Sequence, residues 1–150
     1  MGSTDHEKKI IETLGTKSIL KQQIFDNTRA AFQLLKDELS EISQKFNAQL
    51  HDTDPRILLE FRDHGEFGAE LKIAGDLLMF NMHSNIFQFD RQHEIWKTAY
   101  IKNDVTAGYS GVINIYNLLS DSFKYSRNED LGYLIARIFI NKNNHFFVQG

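Results

Sequence analysis

The sequence predicts an α+β fold, in which a long N-terminal helix packs on an antiparallel β-sheet, a meander of six or seven strands. Three observations predict it. Residues 18–50 contain neither Gly nor Pro and are dominated by strong helix formers. After Pro55 the apolar spacing changes from steps of three and four to alternation. Short turn-forming sequences then punctuate that alternation. Residues 1–54 read as a helical segment, and residues 55–150 as the β-rich part of the same single domain.

Within the helical segment, residues 5–14 start a helix with Ile10, Ile11 and Leu14 on one side. Gly15 weakens it, and Thr16 or Ser18 is placed to cap a fresh start. At about 1.5 Å per residue, the segment 18–50 forms a rod of roughly 50 Å. Phe25, Phe32, Leu35, Leu39, Ile42 and Phe46 mark out a heptad-like seam along it, with Thr28 in the one polar slot. Such a seam seeks a partner along its length, which predicts a homodimer interface at those six residues. Leu20, Ile24, Ala31 and Leu34 add a second apolar line, wide enough for a helix that also lies on a sheet. Asp54-Pro55 ends the helix, because a residue before Pro avoids the helical region.

Ile57, Leu59 and Phe61 then alternate with Leu58, Glu60 and Arg62, and Phe67, Ala69, Leu71 and Ile73 follow the same rule. Asp63-His64-Gly65 between the two runs reads as a three-residue hairpin loop with Gly65 left-handed. It pairs Arg62 with Glu66, Phe61 with Phe67 and Leu59 with Ala69. A turn at Gly75-Asp76 pairs Ile73 with Leu78 and Leu71 with Phe80. A turn at Ser84-Asn85 pairs Met82 with Phe87 and Phe80 with Phe89. Each turn keeps the apolar residues on one face, which argues for a meander. Phe61, Leu71, Phe80, Met82 and Phe87 are expected to be buried together against the helix.

Residues 95–101 read as a fifth strand and residues 103–111 as a loop containing two glycines. Residues 112–123 fit either a helix or a strand, and residues 126–130 form a polar connection. Residues 133–140 and 145–148 form a last hairpin around Lys142-Asn143. No internal repeat or low-complexity tract is present.

Composition narrows function more than any motif does. With 150 residues, 41% of them apolar and twelve of them Phe, the chain can bury a core without staples. Cysteine is absent, which excludes a disulfide framework or a thiolate site and fits a reducing, cytoplasmic setting. No run approaches the roughly 18 apolar residues of a membrane span. Seven Lys/Arg face nine Asp/Glu before Pro55, and ten face eleven from it onward, so neither half is basic. That balance disfavours nucleic acid as a partner.

Glu70-Leu71-Lys72, with Asp54 or Asp63 upstream, is the sharpest catalytic candidate. Metal-dependent nucleases of the restriction-endonuclease type place a carboxylate and then Glu-x-Lys on adjacent strands around Mg²⁺. Glu-x-Lys is also ordinary on a polar strand face, and the chain is acidic overall. The six histidines lack HxH, HxxxH or HExxH spacing. No Gly-x-Ser-x-Gly or phosphate-binding glycine loop is present. Arg137 interrupts an apolar strand, and Trp96 near Tyr100 reads as a core anchor rather than part of a pocket. Neither a catalytic residue, a metal site nor a cofactor is assigned. The function expected is a non-enzymatic protein–protein interaction and assembly module, homodimeric through the long helix. A small-ligand-binding or sensory domain is the alternative, with a metal-dependent nuclease third.

Overall fold

The computed structural model describes residues 4–119 and 132–150. Helix α1 covers Asp5–Thr13 and helix α2 covers Ile19–Leu50. Thr4 caps the start, its Oγ1 accepting the Glu7 N–H at 3.2 Å, and Asp5 and Glu7 in the first turn complement the helix dipole. The break expected at Gly15 does not form. A π turn over Leu14–Ser18 joins α1 to α2, so helical backbone runs from Asp5 to Leu50, a length of about 70 Å. Thr16 does not cap a new helix, because its hydroxyl donates back to the Glu12 carbonyl at 2.9 Å. Ser18 makes no capping bond either. The helix ends at Leu50, ahead of Pro55, which holds Asp54 extended. Asp54 caps the short 3-10 turn Pro55–Ile57 by accepting the Arg56 N–H.

Seven strands form one antiparallel sheet: β1 (Glu60–Asp63), β2 (Gly68–Ile73), β3 (Asp76–Met82), β4 (Phe87–Gln88), β5 (Tyr109–Leu119), β6 (Tyr133–Ile140) and β7 (Phe146–Gln149). Their order is β1-β2-β3-β5-β6-β7, and β4 joins the start of β5. The first hairpin pairs Arg62 with Glu70 and Phe61 with Leu71, so its loop is longer than expected. Asp63 causes this. Its Oδ1 accepts the Gly65 N–H at 2.9 Å, and the His64 N–H bonds the Gly68 carbonyl at 3.0 Å. Gly65 does adopt a positive φ, 97°. The second turn is Ala74-Gly75, with Ala74 left-handed at φ 52° and Ile73 opposite Asp76. Both registers differ from expectation by even numbers of residues, which leaves each side chain on its expected face.

The third expected hairpin is absent. β3 pairs with β5, matching Met82 with Ile113 and Phe80 with Ile115. The His83 N–H donates to Val112, so the chain leaves the sheet at residue 83 instead of doubling back. Phe87 and Phe89 therefore do not join Phe80 under the helix. They pack with Val112 and Phe139 on the opposite face. The expected strand at 95–101 is instead a 3-10 turn, Glu94–Lys97, followed by helix α3, Ala99–Asn103. His93 and Thr98 set this, each accepting a backbone N–H two or three residues on. A further 3-10 turn, Val105–Gly108, leads into β5, so the strand reading of residues 112–119 is the one adopted. Residues 120–123 and the connection at 126–130 lie outside the described residues. The last hairpin forms as expected.

Helix α2 crosses the sheet diagonally. Near its start, the Asn27 amide donates to the carbonyls of Asn141 and Lys142 in the β6–β7 turn. Thr28 then lies on Gly111 so closely that a Cβ there would sit 2.1 Å from the Thr28 Oγ1. Further along, Asn47 makes two 2.8 Å bonds to the backbone of Leu59. Between these points Phe32, Ala69, Leu71, Phe80, Met82, Ile113 and Ile140 form the main core. A smaller core of Phe89, Val112 and Phe139 lies on the far face, beneath residues 87–108.

Candidate functional site

Phe25, Phe32, Leu35 and Leu39 pack against the chain's own sheet, as does Thr28 in the polar slot. Ile42 and Phe46 continue the seam but are 38% and 47% exposed. The buried stripe begins at Ile24, so the helix before residue 20 overhangs the sheet with no buried residue. Ile10, Ile11, Leu14 and Ile19 on this overhang are 59–69% exposed. A π turn takes an additional residue per turn, so it rotates what precedes it by about 100° relative to a continuous α-helix. That rotation sets the apolar residues before the turn, Ile10 and Ile11, at a different angle from the sheet-facing stripe.

Lys36 was not legible as a site residue in the sequence, yet its side chain is only 4% exposed. Its ammonium lies 2.9 Å from Asp63 Oδ1, also donates to the Gly65 carbonyl, and sits 4.9 Å from the centre of the Phe32 ring. Lys36 and then the Gly65 N–H hold the Asp63 carboxyl below its ordinary pKa. An Arg29–Glu66 pair at 3.2 Å flanks them, and an open polar groove of about 640 Å³ runs past Arg29, Lys36, Asp63 and Glu66. The arrangement clamps the β1–β2 loop to the helix.

The carboxylates of the nuclease candidate do not converge. Asp63 pairs with Ala69 on the helix-facing side of the sheet, whereas Glu70 pairs with Arg62 on the other. Glu70 is nearly buried and meets His64 at 3.2 Å and Arg62 at 3.7 Å. Asp54 is held in its own loop by the Arg56 guanidinium, which lowers its pKa. Among the described residues no three His, Asp or Glu side chains come together as a metal would require.

The histidines are dispersed, with local roles. His83 and His93 each accept a backbone N–H through Nδ1. His145 lies in a polar cluster around Tyr100, whose Oη is 2.9–3.0 Å from Asn141 Nδ2, Asn143 Nδ2 and His145 Nδ1. Beside this cluster is a half-open cavity of about 140 Å³ between β5–β7 and the covering segment 89–108. Trp96 is the core anchor the sequence suggested. Its indole N–H donates to the carbonyls of Phe89 and Asp90, and its ring fills the space a Cβ on Gly108 would need. Arg137 is exposed on the face away from the helix, opposite Asn114 and Gln149. The Asn-rich turn 141–144 was the available sequence signal for the Tyr100 cluster, since Asn side chains commonly bond turn backbone.

Comparison with known protein families, with characterised proteins and with solved structures finds no match. Among the described residues no helix is long and apolar enough to cross a membrane.

Proposed function

We propose that this chain is a non-enzymatic assembly module, a homodimer joined through its long helix. The observation that carries the reading is the overhang, about four helical turns with four large, exposed aliphatic side chains and no buried residue. An isolated helix of that length is marginal in water, so its apolar face gains stability when covered. A second copy presents the same face, and a two-fold axis lets the two overhangs cover each other. Ile42 and Phe46 extend the apolar helix surface at the other end.

The test separates assembly from folding. Ile10→Glu, Leu14→Glu and Ile19→Glu alter residues that the fold does not bury, so thermal stability of the monomer should be unchanged. Light scattering should show a dimer for the parent and a monomer for the triple variant. Monomeric parent protein at high concentration, or a dimer that survives the triple substitution, would remove the overhang from the interface. Leu35→Glu or Leu39→Glu would instead damage the core and report on folding.

A further inference from the structure

We propose that the cavity beneath residues 89–108 binds a neutral, single-ring aromatic molecule carrying one hydrogen-bond acceptor. Size sets the first limit. About 140 Å³ is close to the roughly 150 Å³ of an engineered cavity that holds benzene, and well below the about 300–1,000 Å³ of pockets for larger ligands. The walls set the second. Phe89 and Phe139 form a ring pair with centroids 4.7 Å apart, and Ile101 and Ala107 are almost fully buried beside them. Flat aromatic surface against such rings gives both area and edge-to-face contacts. Among the described residues the lining contains no Asp, Glu, Lys or Arg, so a charged ligand would lose its hydration without a counter-charge.

The polar end sets the third limit. Asn141 is fixed in orientation because its Oδ1 accepts the N–H groups of Asn143 and His145, both at 3.0 Å. Its Nδ2 therefore donates to Tyr100. With Asn143 Nδ2 as a second donor, the two acceptor sites of the Tyr100 oxygen are filled and its proton goes to His145 Nδ1. The neutral imidazole then carries its proton on Nε2. Asn141 retains one N–H of its amide beyond the bond to Tyr100. Around Tyr100 the groups left over, the second Asn141 amide N–H and the His145 Nε2–H, are donors, and they call for an acceptor on the ligand; the Ser110 hydroxyl in the wall can serve either role.

Titration of the full chain with anisole, followed by methyl NMR of Ile95, Ile101 and Ala107, tests this. Anisole should give saturable shifts at those methyls and bind about fivefold more tightly than toluene, the value of one neutral hydrogen bond. His145→Phe should weaken that preference without abolishing it, because the Asn141 N–H remains, while leaving toluene affinity in place. Ala107→Leu should abolish the shifts by filling the cavity, and Ile95→Phe does the same at a half-buried wall if the first variant fails to fold. Absence of saturable shifts, toluene binding as tightly as anisole in the parent, or benzoate saturating the same methyls would each overturn the proposal. None of these outcomes depends on the oligomeric state.

Discussion

Two positions concentrate the consequences at the scale of single residues. Gly111 lets Thr28 approach the sheet, and the Thr28 hydroxyl is satisfied by the Ile24 carbonyl at 2.7 Å. Gly111→Ala should destabilise the protein by about 1–3 kcal/mol through overpacking, measured by denaturant titration. Thr28→Ala should rescue it only in part, because the Thr28 Cβ alone would lie 2.9 Å from the new methyl. Lys36 is the second position. Lys36→Met keeps the apolar stem but leaves Asp63 without its cation; Asp63 is 52% exposed, so water replaces much of the loss. A cost of about 1–2 kcal/mol is expected, below the 3–5 kcal/mol of a fully buried pair. Because the folded-state pKa of Asp63 is depressed, the pair's contribution is present above the unfolded value near 3.9 and disappears as pH falls through the folded value. Acid titration of stability should therefore be shallower in Lys36→Met than in the parent. Neither position announced itself in the sequence. A lysine within a helix ordinarily marks its wet side, and only the distant Asp63 loop makes this one an interior residue.

Two features matter at the scale of elements. Deleting Gly15 should convert the π turn into α-helix and rotate the overhang back toward the sheet-facing stripe. Its expected effect is a weaker dimer by sedimentation, with the melting temperature of the monomer unchanged. Strand β7 lies at the edge of the sheet, with Phe146 74% and Val148 53% exposed. Val148→Lys should change stability by no more than about 0.5 kcal/mol and reduce aggregation, as charge on an edge strand does. Elements were legible where local chemistry and tertiary context agreed. The helix, β1, β2, β3 and the last hairpin follow from periodicity and turn residues. β3's true partner was not legible, because a Ser84-Asn85 turn satisfies local rules as well as a departure from the sheet does. Residues 95–101 alternate like a strand, yet the caps at His93 and Thr98 win.

Across the whole molecule, the sheet has two differently used faces. One carries the long helix over most strands, and among the described residues the other is covered only where residues 87–108 fold back over β5 and β6. Even register shifts preserved the expected sidedness of the first three strands, which is why the main core was readable without the pairings. The cavity and the Tyr100 cluster were not, since they unite residues more than forty positions apart. The β3–β5 pairing also bears on how fast the protein reaches this state. Hairpins β1–β2 and β2–β3 close over short loops, but Met82 meets Ile113 only after residues 83–108 are looped out. That closure must be completed before β5 can offer its long ladder to β3, which places the barrier at a late, non-local step. In stopped-flow experiments, Ile113→Val should slow refolding, whereas Phe89→Leu, inside the loop, should chiefly speed unfolding. The excursion that builds the small second core thus makes the chain a slower folder than its hairpins alone would be.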